Sequence, residues 1–134
     1  MNERFAIMNK VEIKAILSDF PYETDEYWII TGSAMVLYGI REETSDIDMG
    51  CTSDMADKLE AEGYLDHRSA DGKRCFKYGK SIEIFEDWLR DSVETIDGLP
   101  VISIKGLIEM KQELGREKDK RDIELIRRYL LSCH

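Results

Sequence analysis

Asp46 and Asp48 stand two residues apart in Ser45-Asp46-Ile47-Asp48-Met49-Gly50. On a strand, side chains at i and i+2 point to one face. Ile47 and Met49 would then point the other way, into a core. Two adjacent carboxylates repel, and the repulsion grows as water is removed. A hard divalent cation removes it, because carboxylate oxygens are its preferred ligands. Mg²⁺ keeps several waters and shares its remaining positions with substrate phosphates. An Asp-x-Asp pair on a strand therefore suits phosphoryl or nucleotidyl transfer. Glu83, in Ser81-Ile82-Glu83-Ile84-Phe85, is a third acid on an alternating segment. Placed beside Asp46 and Asp48, it could hold metal or act as general base. Asp87 shares its phase and is the fallback.

Gly32-Ser33 follows a short apolar run and precedes a helical segment. It reads as a turn. Glycine lets backbone approach a ligand closely, and a helix N-terminus offers free N–H groups to an anion. Ser33 would add a hydroxyl donor. The pair is a candidate cradle for phosphate, although Gly-Ser before a helix also occurs as a plain cap.

The elements that must position these residues follow from periodicity. Phe5, Met8, Val11, Ile13, Ile16, Leu17 and Phe20 recur at helical spacing, predicting an amphipathic helix over the first twenty residues, stopped by Pro21. Tyr27 to Thr31 predicts a buried strand. Ala34 to Tyr38 predicts a short helix closed by Gly39. Residues 46–50 alternate as a strand. Ser53 is the expected N-cap of a helix ending near Gly63. Tyr64 to Arg68 and Arg74 to Tyr78 predict a hairpin around Ala70-Asp71-Gly72. Ser81 to Phe85 and Val101 to Ser103 predict two more strands. Lys105 to Leu114 and Asp119 to Leu131 predict helices separated by Gly115. This order predicts a mixed α/β (α+β) fold, a small sheet flanked by helices.

The bulk composition narrows the classes. The 134 residues fit one domain, with 43% apolar and 35% charged residues. No apolar run is long enough to span a membrane, and no secretory leader is recognisable. Cys51, Cys75 and Cys133 are scattered, and there are 2 histidines, so a zinc cluster or disulfide scaffold is not expected. These features predict a cytoplasmic protein. The net charge of −9 disfavours a broad nucleic-acid footprint and suits a small cationic substrate or a protein partner.

Taken as a set, Ile30-Thr31-Gly32-Ser33, the twelve residues 34–45, Asp46-Ile47-Asp48 and Ile82-Glu83-Ile84 resemble the nucleotidyltransferase superfamily that includes DNA polymerase beta. The sequence is most similar to the small lincosamide-type and abortive-infection-type members. The shared features are Ala34-Met35-Val36-Leu37-Tyr38-Gly39, then Arg41 and Thr44, and later Lys111 ahead of Arg116-Glu117-Lys118-Asp119-Lys120-Arg121-Asp122. The resemblance covers roughly Trp28 to Leu130.

It implies a nucleotidyltransferase fold over residues 1–134, with 105–131 as a C-terminal helical pair. It implies that Asp46, Asp48 and Glu83 are catalytic and hold Mg²⁺ or Mn²⁺. Gly32, Ser33, Lys111 and Lys118 would bind the phosphates of a nucleoside triphosphate such as ATP, and Asp122 would orient Lys118 or the substrate. The family more often has Asp at the position of Glu83. Lys118 and Asp122, at i and i+4, could equally form a surface ion pair. The implied partners are a nucleoside triphosphate and an acceptor that is a small molecule, a protein or an RNA end. A homodimer or partner protein is compatible, and no membrane is involved. Two other readings use the same residues. One is a non-catalytic nucleotide-binding or antitoxin-like regulatory module. The other is a metal-dependent phosphohydrolase, which the position of the Asp pair behind a helix, a strand and a Gly-Ser turn disfavours.

Overall fold

A computed structural model describes residues 7–132. The elements are α1 (Lys10–Ser18), β1 (Tyr27–Ile30), α2 (Thr31–Tyr38), β2 (Ile47–Cys51), α3 (Ser53–Ala61), β3 (Leu65–Arg68), β4 (Arg74–Tyr78), β5 (Ile82–Glu86), β6 (Val93–Ile96), β7 (Leu99–Ile102), α4 (Ile104–Leu114) and α5 (Glu117–Ser132). All seven strands join one sheet in the order β3-β4-β5-β2-β1-β7-β6. β2 pairs with β5, and β1 with β7, in parallel; the other pairings are antiparallel. The fold is thus a mixed α/β sheet with helices, as the order of sequence signals predicts.

Register builds the core. Ile29, Met49, Ile84 and Phe76 lie level across β1, β2, β5 and β4, and Val101 extends the row through β7. All five are at most 1% exposed. Burying side chains of this size contributes roughly 1.5–3 kcal/mol each. Ile84→Ala would cost about 2–5 kcal/mol, since the row cannot close over the gap. α2 packs on β1, β2 and α4, α3 packs on β4, and α4 packs on α5. The alternate phase of the same strands carries Asp48, Gly50, Glu83 and Phe85. The core row and the chemical row are therefore two faces of one ladder.

The structure corrects several boundaries. The first helix begins at Lys10, not near the N-terminus, because Asn9 and Glu12 form a reciprocal capping box. Ile13 and Leu17 bury its apolar side, whereas Val11 is exposed. Met8 instead makes an isolated bridge to Thr44, and Phe5 lies outside the described residues. Thr52, rather than Ser53, caps α3 by accepting from the Met55 amide at 3.1 Å. Ser103 is not strand but the N-cap of α4, accepting from the Gly106 amide at 3.0 Å. β6 is an additional edge strand. Its Val93, Glu94 and Thr95 are all exposed, so it shows no buried alternation to read. Among the described residues no helix is long and apolar enough to cross a membrane.

Candidate functional site

Asp48 lies on β2 level with Glu83 on β5, and Asp46 sits just before β2. Their shared face lines a cleft of about 480 Å³ with Thr31, Gly32 and Lys118. The parallel pairing is what brings the third acid in: Ile47 sits opposite Ile82 and Met49 opposite Ile84, so Asp48 and Glu83 must share the other face.

Thr31 fixes Asp48. Its hydroxyl donates to Asp48 Oδ2 at 2.6 Å. Thr31 also has φ +53, an unusual conformation for a β-branched residue. That residue turns β1 directly into α2, so no separate Gly32-Ser33 turn exists; both belong to the first turn of the helix. Ser33 is fully buried. Its hydroxyl donates to the Ile30 carbonyl at 2.8 Å and accepts from the Asp48 amide at 3.1 Å. The side chain is thereby committed to joining β1 and β2, and it does not line the cleft as a phosphate donor would. Gly32 does line it, beneath the Arg41 guanidinium; a Cβ at Gly32 would lie 2.7 Å from Arg41 Nη1, so any larger residue would have to displace the guanidinium.

The acids are poorly compensated. The Asp48 carboxyl is pushed up to about 6, first by burial and further by the charges of Glu83 and Asp46; the Thr31 bond and Lys111 oppose the shift. Among the described residues, no three His, Cys, Asp or Glu side chains already form a cage around a cation position. The donor chemistry nevertheless fits a hard divalent ion. Three carboxylates share one cleft, and one of them, Asp48, is half-buried beside like charges. Such a cation would complete its shell with water and phosphate.

A second charged group sits on the other flank. Lys111 is 2% exposed on α4. Its Nζ lies 2.9 Å from Asp122 and 3.5 Å from Asp119. Asp122 also receives the Arg41 guanidinium, and Asp119 receives Arg116 Nε at 2.6 Å. Asp122 is therefore not paired with Lys118, as the i, i+4 spacing allowed. Lys118 lines the cleft, exposed and with no ion pair among the described residues. Asp87, the fallback acid, lies beyond β5 at φ +59, where it binds Lys73 at 3.0 Å and Ser53 at 3.2 Å. It does not line the cleft with Asp46, Asp48 and Glu83.

Phe85 and Trp88 close the remaining end, their rings edge to face with centroids 5.5 Å apart. The segment bearing Trp88 is clamped. Trp28 Nε1 donates to the Trp88 carbonyl at 2.7 Å. Gly50 leaves room for that indole, since a Cβ there would lie 2.1 Å from Trp28 Nε1. Gly106 leaves equal room for the Arg90 carbonyl, also 2.1 Å from a Cβ. Ser103 Oγ then holds Asp91 at 2.7 Å. Sequence reasoning missed the part played by Thr31, Arg116 and this clamp. Thr31 and Arg116 stood within recognised motifs, but the Trp28–Trp88 contact spans sixty residues and left no local signal.

No family model matches the chain, and no curated protein matches it. Among solved structures, the chain is similar to a Thermotoga maritima protein described provisionally as a nucleotidyltransferase. The two share 16% identity and superpose with a TM-score of 0.62, over 93% of this chain and 96% of that one. At this identity the likeness speaks for architecture alone: the chain shares the mixed α/β fold of that protein.

Proposed function

We propose that the protein is a metal-dependent nucleotidyltransferase. It would move a nucleoside monophosphate from a nucleoside triphosphate, such as ATP, to an acceptor hydroxyl. The observation that carries this reading is the level pairing of Asp48 with Glu83, beside the Thr31–Gly32 entry to α2. Asp46, Asp48 and Glu83 would hold Mg²⁺ or Mn²⁺, which supplies charge neutralisation at the α-phosphate and the leaving group. Gly32 and Lys118 would receive the terminal phosphates. Lys111, enclosed by Asp119 and Asp122, would act on this flank by holding those acids and Arg41 in place, not by direct phosphate contact. Glu83 would orient the acceptor hydroxyl and take its proton. The acceptor oxygen would bond to the α-phosphorus as the α–β bridging P–O bond breaks, releasing pyrophosphate.

The reading treats residues 1–134 as one domain with 105–131 as its helical pair, working in the cytoplasm, alone or with a second protein chain. The test is incubation with Mg²⁺ and each α-labelled nucleoside triphosphate, using cell extract as acceptor source. Metal-dependent label transfer with pyrophosphate release, lost in Asp48→Asn, is the expected result. Nucleotide binding that ignores both the metal and the removal of Asp46 and Asp48 would overturn the reading.

A further inference from the structure

A second cavity, of about 560 Å³, opens over β3, β4 and β5. It shares Phe85 and Trp88 with the acid cleft, so the two spaces meet at one aromatic wall. Register explains the continuity. Gly50, Phe85, Cys75 and His67 lie level across β2, β5, β4 and β3, one step along the strands from the Asp48–Glu83 pair. The sheet order thus sets three zones side by side. Gly32 lies just after β1 beneath Arg41, the acids lie on and beside β2 and β5, and the aromatic cavity lies over β5, β4 and β3.

We infer that this second cavity is the acceptor site, and that it takes a small uncharged molecule carrying an aromatic ring and a free hydroxyl. The inference rests on the proposed nucleotidyl transfer. In-line displacement places the attacking oxygen opposite the leaving pyrophosphate. With the terminal phosphates on the Gly32 side, beyond β1, the attack comes from the β5 side, where this cavity opens. Its volume lies within the ordinary range for small-molecule sites. Phe85 and Trp88 offer ring faces and edges, held in place by the Trp28, Gly50 and Gly106 clamp. The rim cations are already neutralised: Lys73 by Asp87 at 3.0 Å, Arg74 by Glu86 at 2.8 Å and Arg90 by Glu113 at 2.7 Å. A polyanion such as an RNA end would find no unpaired cation among them, and the chain as a whole carries −9.

The test uses 2-phenylethanol as probe, with a short oligoribonucleotide bearing a free 3′-hydroxyl as competitor class. Binding is followed through the indole N–H signals of Trp28 and Trp88 in the intact protein. Nucleotide binding is followed separately through the Gly32 amide, using Mg²⁺ and a non-hydrolysable triphosphate. The expected result is saturable phenylethanol binding that shifts the Trp88 signal and persists with nucleotide bound. Ala70→Arg, in the β3–β4 turn, and His67→Arg, on exposed β3, add a bulky charged side chain to the cavity lining. Each should weaken phenylethanol roughly tenfold and leave nucleotide affinity unchanged. Displacement of phenylethanol by nucleotide would assign the cavity to the nucleobase and overturn the inference. So would absence of phenylethanol binding, or oligoribonucleotide binding that the Arg variants strengthen. Phenylethanol binding without any nucleotide binding would instead sink the transferase reading and leave an aryl-alcohol site standing.

Discussion

Two groups of charges face each other across the cleft, and they are built on opposite terms. On the α4–α5 flank, Lys111 is enclosed by Asp119 and Asp122, and these acids are tied in turn to Arg116 and Arg41. Every member has a partner of opposite sign. On the β2–β5 flank, Asp46, Asp48 and Glu83 line one cleft, and Asp48 is driven towards its protonated form. The first group is closed, and its charges hold the scaffold. The second is open, and what it lacks is positive charge from outside. Buried charge alone does not mark a site; carboxylates gathered without a countercharge do.

The comparison can be broken most severely at Asp48. Asp48→Asn should lower nucleotidyl transfer by about a thousandfold or more, because the metal loses a ligand while the Thr31 bond can persist. Product formation under saturating nucleotide measures this. Next comes Lys111→Met. Removing the buried cation leaves Asp119 and Asp122 without it, and stability should fall by about 3–5 kcal/mol. Urea denaturation at pH 7.5 would read the loss; an unchanged midpoint would show that the closed group is not structural.

The open group predicts the reverse sign. The Asp48 carboxyl sits at about 6, above its ordinary 3.8, so its contribution to folding is greatest below the lower value and is lost as pH rises through the upper one. Without divalent metal, Asp48→Asn should therefore be more stable than the parent at pH 7.5, by up to about 3 kcal/mol, with the gap closing towards pH 4. Thermal melts at the two pH values decide it.

Glu86 supplies a contrast on the same strand as Glu83. Arg74 holds its carboxyl down, at about 2 against the ordinary 4.5. Its stabilisation is present above the higher value and disappears as pH falls through the lower. Glu86→Gln should remove about 2 kcal/mol at neutral pH and flatten the acid limb of the melting curve. The smallest effect belongs to Lys118, which has no ion pair to lose. Lys118→Ala should weaken nucleotide binding roughly tenfold and change stability by less than about 0.5 kcal/mol. Isothermal titration beside a melt separates the two.

The sequence disclosed most where chemistry and local periodicity coincide. Asp46 and Asp48 stand two apart in strand-like alternation, so their common face could be read from spacing; Glu83 could be read only as the polar phase of its own strand, and the β2–β5 register brought it beside them. Ala34 to Tyr38 and the β3–β4 hairpin were legible for the same local reason. What stayed hidden depends on distant partners. Ser33 reads as a phosphate donor until β2 arrives beside it and claims the hydroxyl. Lys111 reads as a phosphate contact until α5 encloses it. Asp122 reads as the partner of Lys118, one helical turn away, until Arg41 comes in from a loop eighty-one residues earlier. β6 was missed because an exposed edge strand carries no burial pattern.

The parallel pairing of β2 with β5 has a kinetic consequence. The ladder that sets Met49 beside Ile84 also sets Asp48 beside Glu83. Sliding β5 by one residue would turn Ile82 and Ile84 outward and bury Glu83. A chain cannot gain its core with the acids misplaced, nor assemble the acids over a core that has not formed. This pairing also joins segments some thirty residues apart, with α3 and a hairpin between them, so loop closure makes it a slow event. During refolding, metal-dependent nucleotide binding and protection of the Met49 and Ile84 amides should return in a single phase, with no burst of early activity.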